Sequence, residues 1–302
     1  MDTRQALDAL GVREDVLTET QKQQFDELGY VIVPGVFNAA EVDEMRAELD
    51  RLQQIEGAYG GHEVHIEPGA MRLSNLFNKS AAFMRCLRCA PTLYLANRLL
   101  GELHVYSLNA RNPAKGSGQQ PLHSDTPRAF EDDYRMVNTM VLLDDMTEDN
   151  GPTRVVPGSH KLVPINVPDI NMNEMSGCVM TPEEAAVVPQ DPVATHPREF
   201  HITGSAGSIA VINGRIWHGG TINRNGASRR VLHLAIGRRD CPQQLNEREH
   251  LTQGLYERAS PAERFLLDIE GATPVVDDPL APPTDARLWK AADALVVEQP
   301  HH

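Results

Sequence analysis

Apolar residues recur along the first hundred positions at helical spacing, and beyond about residue 103 they fall instead into short runs broken by turn residues. Thr18 or Thr20 is placed to cap a helix running to Leu28, and Gly29 to end it. Tyr30-Val-Ile-Val-Pro34 is a short apolar run bounded by Gly and Pro, as a buried strand would be. Asn38 precedes a second helix over 39–55, with Val42, Met45, Leu49 and Leu52 on one face. Phe83 to Leu100 reads as one further helix. Short β-rich segments then follow at 103–111, 121–125, 137–143, 153–156, 207–212 and 229–237. They are separated by turns such as Asn150-Gly-Pro152, Pro157-Gly158 and Asn225-Gly226.

Helices followed by many short strands predict a mainly β fold, a sandwich or jelly roll buttressed by helices. The expected organisation is one domain over 1–302. Residues 1–102 form a helical buttress carrying the first strands, 103–240 the jelly-roll core, and 241–302 a helical and Pro-rich tail. The stretch from Pro164 to Pro197 is long, weakly periodic and rich in Pro, Asn and Glu, as a functional lid or ordered insert is. Thr284 to Val296 forms an expected short amphipathic helix, and no internal repeat is visible.

Composition narrows the function classes. The chain has 302 residues, ample for a full core, with 41% hydrophobic and 23% charged residues. Its formal net charge is −14, from 42 acidic against 28 basic residues, which argues against a nucleic-acid partner. No run approaches the roughly 20 apolar residues of a membrane span. The first residues lack the pattern of a secretory signal, so the cytoplasm is the expected location. Cys86, Cys89, Cys178 and Cys241 are too scattered for a disulfide framework. Cys86-Leu-Arg-Cys89 has redox or zinc-knuckle spacing, but without a second pair it reads as two thiols packed on a helix.

The sharpest chemical feature is Gln119-Gln-Pro-Leu-His123-Ser-Asp125. Residues i and i+2 of a strand share a face, so His123 and Asp125 could grip one ion from one side. Gly214-Arg-Ile-Trp-His218-Gly-Gly220 offers a second His just after a strongly apolar segment. Two His and one carboxylate make the facial triad of non-heme Fe(II) oxygenases, which leaves coordination positions open for a 2-oxo acid and O2. Arg229, eleven residues beyond His218, could pair bidentately with the far carboxylate of that co-substrate. Arg230 competes for the role. Arg229 shares strand parity with Val231 and His233, whereas Arg230 shares it with Leu232, Leu234 and Ile236, so the more polar face favours Arg229.

With these residues in hand, the chain resembles the phytanoyl-CoA dioxygenase family across roughly residues 18–240. The resemblance rests on the Gly29-Tyr-Val-Ile-Val opening, His123-Ser-Asp125 and Glu148-Asp-Asn-Gly-Pro-Thr-Arg-Val-Val-Pro-Gly-Ser-His160. It closes with Trp217-His218 and the step to Arg229. It implies a double-stranded β-helix (cupin-like jelly roll), with Fe(II), 2-oxoglutarate and O2 as cofactor and co-substrates. It further implies that Gln120 helps hold 2-oxoglutarate and that Asn75, Asn109 and Thr153 face the pocket. His160 reads as a turn-stabilising residue rather than a ligand. Some relatives carry Ser two residues after the distal His, where this chain has Gly220. A carboxylate at Asp125 argues for oxygen chemistry rather than halogenation: hydroxylation, desaturation, epoxidation or rearrangement.

Trp217, Met140 and the 164–197 segment are the wall and lid candidates. No Lys/Arg cluster suited to the phosphates of an acyl-CoA is evident, which turns the substrate expectation to a small secondary metabolite or amino-acid-like molecule. A monomer or homodimer is expected. Two other readings use the same residues: a cupin-like isomerase or hydrolase with another divalent metal, which leaves Arg229 unexplained, and a non-catalytic binding protein on the same fold.

Overall fold

A computed structural model describes residues 1–168 and 180–284. The N-terminal helices form where the capping chemistry places them. Helix α1 spans Thr3–Ala9; α2, Glu19–Leu28, starts on a Thr18–Gln21 capping box and stops at Gly29, which is left-handed at φ 80°. Strand β1 (Tyr30–Val33) follows, then α3 (Ala39–Glu56), begun by a reciprocal Asn38–Glu41 cap. After β2 (Ala70–Leu73) and the short α4 (Leu76–Lys79), the stretch expected as one helix is broken. A 3-10 helix covers Ala81–Arg88, and α5 starts afresh at Ala90–Leu100. Pro91 is the cause, because it has no N–H and its ring would strike the carbonyl of Leu87 in a continuous helix. Cys86 and Cys89 are buried free thiols whose ionisation burial pushes up.

Strands β3 (Leu103–Pro113), β4 (Met136–Leu142), β5 (Thr153–Val155), β6 (Phe200–His201), β7 (Ile209–Asn213), β8 (His218–Gly220) and β9 (Val231–Arg238) complete the β core. They form two antiparallel sheets, ordered β1-β7-β4-β9-β3-β2 and β6-β5-β8. Helix α6 (Pro182–Val187) lies within the long insert; α7 (Glu247–His250), α8 (Gln253–Arg258) and α9 (Pro261–Leu266) follow the core. The expected helix at 284–296 lies outside the described residues except for its first position. No helix among the described residues is long and apolar enough to cross a membrane.

Strand parity sorts the core into two layers. On β9, Leu232, Leu234 and Ile236 pack outward against Met45, Leu49, Leu93 and the other helix-borne apolar residues. Val231 joins Met140, Leu142, Val155, Ile202 and Ile212 between the sheets. The six-stranded sheet is therefore buried on both faces, by helices outside and by the smaller sheet within. Its inner face carries the polar side chains of the site.

One expected strand is not a strand. Residues 121–125 make a single bridge, His123 to His218, because the intervening N–H groups go elsewhere. Leu122 donates to Pro192 O (2.8 Å), Ser124 to Ile165 O (2.8 Å) and Asp125 to Gly214 O (2.7 Å). The segment is pinned residue by residue rather than by a ladder.

Candidate active site

That pinning brings His123 and Asp125 to one side of the same bridge that holds His218. His123 and His218 exchange backbone bonds of 2.9 Å in both directions, and their ring centroids lie 4.3 Å apart. Each imidazole is oriented alike. Nδ1 of His123 is 2.9 Å from Pro121 O, and Nδ1 of His218 is 2.9 Å from Ile216 O. A carbonyl can only accept, so both Nδ1 atoms carry the proton and both Nε2 lone pairs are free. Those lone pairs converge on Asp125 Oδ1, at 3.8 Å from His123 and 3.5 Å from His218. Asn138 Nδ2 donates to the other oxygen, Oδ2, at 3.1 Å, which leaves Oδ1 available. Burial, with the neighbouring His218, lowers His123 to about 4, so its ring is neutral at neutral pH.

Three donor atoms, two imidazole and one carboxylate, thus lie within 4.8 Å of one another with their supporting bonds already made. This set fits a divalent iron, and three ligands on one side leave the other side open. A second cluster, Glu56, His62 and Glu63, has comparable spacing. There the Lys79 ammonium already bridges Glu56 (2.8 Å) and Glu63 (2.5 Å), so the two carboxylates neutralise a lysine rather than wait for a metal.

The triad opens into a cavity of about 610 Å3, lined among others by Gln120, Asn109, Thr153, Met140, Asn138 and His233. Its size is that of a small-ligand site. Asn109 Nδ2 binds Gln244 Oε1 at 2.9 Å while its Oδ1 has no partner among the described residues. Gln120 Oε1 accepts from Gly220 N at 2.9 Å.

Two expected pocket residues are elsewhere. Asn75 sits left-handed at φ 56° with its Oδ1 accepting from Asn78 Nδ2 at 2.7 Å, a bond internal to the helical buttress. Trp217 is buried in an apolar wedge with Leu122, Val156, Val163 and Ile165, and its Nε1 donates to Val163 O at 2.8 Å. It braces the segment beneath His218 instead of walling the cavity. His160 is no ligand either; its Nε2 lies 3.2 Å from Asp26 O in the turn that receives Gly29.

The two arginines part as their strand parity indicates. Arg230 is spent on Asp144 (Nε to Oδ2, 2.9 Å) and Asp50 (2.9 Å) on the outer side. Arg229 is buried, its N–H held by Asn112 Oδ1 at 2.9 Å, and all three guanidinium nitrogens lack a partner among the described residues. It is not itself a lining residue, but its charge acts on Arg111 and His233, which are. Burial, then the nearby Arg111, lowers it to about 9.

Gly220 leaves no room for the serine that some relatives carry. A Cβ there would stand 2.5 Å from Gly118 O, 2.9 Å from Arg111 Nη1 and 3.1 Å from Gln120 Oε1. Arg111 and Gln120 occupy that space in this chain. Sequence reasoning missed Arg111 and Arg72 as pocket residues, and also Tyr106. Tyr106 is the extra residue of a β-bulge on β3, between Val105 and Ser107, which turns its side chain into the cavity.

Residues 25–231 match the phytanoyl-CoA dioxygenase (PhyH) family. The chain is 25% identical over 267 residues to the ectoine dioxygenase of Stutzerimonas stutzeri (strain A1501), covering 84% of each protein. It is 30% identical over 157 residues, 46% of this chain and 53% of the other, to the Fe(II)/2-oxoglutarate-dependent dioxygenase nvfF of Aspergillus novofumigatus. Among solved structures, the fold is similar to the non-heme alpha-ketoglutarate-dependent carbocyclase SnoK from nogalamycin biosynthesis. The TM-score is 0.56 at 19% identity, covering 88% of this chain and 96% of that one. HygX from Streptomyces hygroscopicus, solved with nickel and 2-oxoglutarate, gives a TM-score of 0.55 at 20% identity over 75% and 89%. The two sheets are the halves of a double-stranded β-helix, and the chain belongs to the phytanoyl-CoA dioxygenase family of Fe(II)- and 2-oxoglutarate-dependent oxygenases.

Proposed function

We propose that His123, Asp125 and His218 hold the iron of this oxygenase, that Arg229 receives the far carboxylate of 2-oxoglutarate, and that the product is an oxygenated or desaturated small metabolite. Iron at this site, with 2-oxoglutarate and O2, supplies oxidation of a substrate C–H bond coupled to release of succinate and CO2. The protein's own contribution is positional. The carbonyls of Pro121 and Ile216 keep both imidazoles in the tautomer that can bind metal. Asn138 keeps Asp125 turned so that one oxygen is free. The apolar residues between the sheets, Met140 and Ile212 among them, exclude water from the far side of the cavity.

The observation that carries the reading is the pairing of a preset three-donor cluster with a buried arginine whose guanidinium has no hydrogen-bond partner among the described residues. An isomerase at the same triad would have no use for that arginine. Anaerobic titration of the Fe(II)-loaded protein with 2-oxoglutarate tests it. A weak visible charge-transfer band should grow in and saturate. Iron bound without any band would remove the co-substrate from the site.

On the substrate side, Tyr106 OH, Asn109 Oδ1 and Asn138 Oδ1 are buried without partners among the described residues. Buried polar atoms of this kind favour a ligand that supplies hydrogen bonds. A small polar metabolite meets that need better than a long acyl chain does.

A further inference from the structure

We propose that the substrate carries a neutral amide or lactam, held beside the candidate metal ligands by the Tyr106 hydroxyl and the Asn138 carboxamide oxygen. This deepens the oxygenase reading and rests on it.

The strand register gives the cavity two ends. Arg111 of β3 stands opposite Val231 of β9, and Arg229 lies two residues back along the same chain. Four residues further along β9, Ala235 faces Ser107 of β3 on one side and Asn138 of β4 on the other. The two rows are on the order of 13 Å apart. The arginine row is the end that a far carboxylate of 2-oxoglutarate would reach. The Ala235 row adjoins the triad, because Asn138 Nδ2 donates to Asp125 at 3.1 Å. Asn138 and Ser107 are separated by two strand spacings, about 10 Å, with only the methyl of Ala235 between them. Tyr106, beside Ser107 in the bulge, packs with Met136, Ala235 and Cys241 at the edge of this recess.

The hydrogen-bonding capacity of the recess is fixed in direction and unspent. A carboxylate accepts only, so Asn138 must turn Nδ2 to Asp125 and Oδ1 the other way. That oxygen is buried without a partner among the described residues, and so is the Tyr106 hydroxyl. Burial, then the charge of Asp125, pushes the Tyr106 phenol up, so it keeps its proton and is a donor. One acceptor and one donor on separate side chains match a ligand with N–H and C=O on adjoining atoms, as an amide has. An ammonium group finds no free acid here. The Glu63 carboxylate is engaged by Lys79 Nζ (2.5 Å) and Ser74 Oγ (2.8 Å), and Glu67 takes Arg111 Nε on both oxygens, at 3.0 and 2.9 Å. An anion would face Asp125 and the Asn138 oxygen. Met136, Met140 and Ile212 line the cavity beside the recess and suit the hydrocarbon part of such a molecule.

The test uses full-length protein loaded with Zn(II) and saturated with 2-oxoglutarate. The probes are 2-pyrrolidinone and cyclopentanone, followed by saturation-transfer difference NMR; the two rings share shape and carbonyl, and only the lactam has an N–H. Wild type should bind 2-pyrrolidinone about fivefold or more tighter than cyclopentanone. Tyr106→Phe, which loses only a hydroxyl without a partner, should weaken both probes by a similar factor and keep the wild-type affinity for 2-oxoglutarate. Asn138→Leu should bring the two probes level, a ratio read within one protein and so independent of its metal content. Equal binding of the two probes by wild type, or no binding of 2-pyrrolidinone, would overturn the substrate class. Unchanged lactam binding in Tyr106→Phe would overturn the role of that residue, and competition between 2-pyrrolidinone and 2-oxoglutarate would place the lactam at the wrong end. Failure of wild type to bind 2-oxoglutarate at all is a separate result and sinks the oxygenase site itself. Circular dichroism checks that each variant is folded, and the comparison of the two probes on wild type needs no variant.

Discussion

At the scale of the residue, the three clustered side chains have their outward-turned polar atoms already bonded, to Pro121, Ile216 and Asn138. His123→Ala or Asp125→Ala removes one of the three proposed ligands, and iron-dependent formation of succinate should fall to background in either variant. A second readout, binding of Co(II) by absorbance, should fall with it. Arg229→Gln should leave metal binding intact and raise the 2-oxoglutarate requirement by about 30-fold or more, as expected when one half of a buried charge pair is removed. An unchanged requirement would hand the carboxylate to Arg111. The clustering of His123, Asp125 and His218 was legible in sequence because a His-x-Asp and a later His carry their chemistry with them. Parity likewise separated Arg229 from Arg230. Asn75 and Trp217 were misread because polarity and aromaticity do not tell which side of a wall a side chain takes. Arg72 and Tyr106 escaped notice because one depends on a short edge strand and the other on a bulge, neither of which has a period to follow.

At the scale of the element, caps and parity were readable and interruptions were not. The capping boxes at Thr18 and Asn38 start their helices where the sequence places them, whereas the break before α5 turns on one proline. The segment 121–125 read as a strand because alternation is there; its hydrogen bonds, which alternation cannot show, go to Pro192, Ile165 and Gly214. Helix α7 carries an unusual acid. Glu247 is fully buried, with Asn78 Nδ2 donating to it at 3.1 Å, and burial raises its carboxyl to about 8 from an ordinary 4.5. The folded protein therefore holds a proton that the unfolded chain gives up between about pH 4.5 and pH 8. Stability from this group is complete below that window and lost across it as pH rises. At about 1.4 kcal/mol per tenfold change in proton affinity, the loss is at most about 4–5 kcal/mol. Glu247→Gln keeps an oxygen for Asn78 and cannot ionise, so its melting temperature should exceed that of wild type at pH 8 and match it at pH 4.5. Equal pH profiles for the two proteins would show that Glu247 is not the group responsible.

At the scale of the molecule, two sheets of unequal size clasp the site, and the long insert is fastened to its rear. Arg154, on the middle strand of the small sheet, donates to three carbonyls at once: Ala194 (2.8 Å), Pro192 (2.8 Å) and Gln120 (3.1 Å). Pro192 also accepts from Leu122, and Asn166 Nδ2 donates to the Leu122 carbonyl at 2.8 Å. Arg154→Met should therefore loosen the candidate metal site from a distance, lowering Co(II) affinity several-fold without touching a proposed ligand, while Arg198→Met, exposed just past the end of the insert, should not. The jelly-roll class was legible from helices followed by turn-spaced strands; this attachment was not, because it runs through backbone carbonyls that any residue could supply.

The fastening sets a limit on how such a protein can change what it acts on. If 164–197 were a simple cover, it could be exchanged between enzymes like an interchangeable part, leaving the chemistry beneath untouched. Here the insert supplies an acceptor to Leu122 directly and two acceptors to Arg154, which in turn holds the Gln120 carbonyl, so a transplanted segment would have to present carbonyls at the places of Pro192 and Ala194 or the candidate metal site would be loosened along with the old specificity. Substitution of side chains facing the cavity remains open to selection or engineering; replacement of the segment as a block does not.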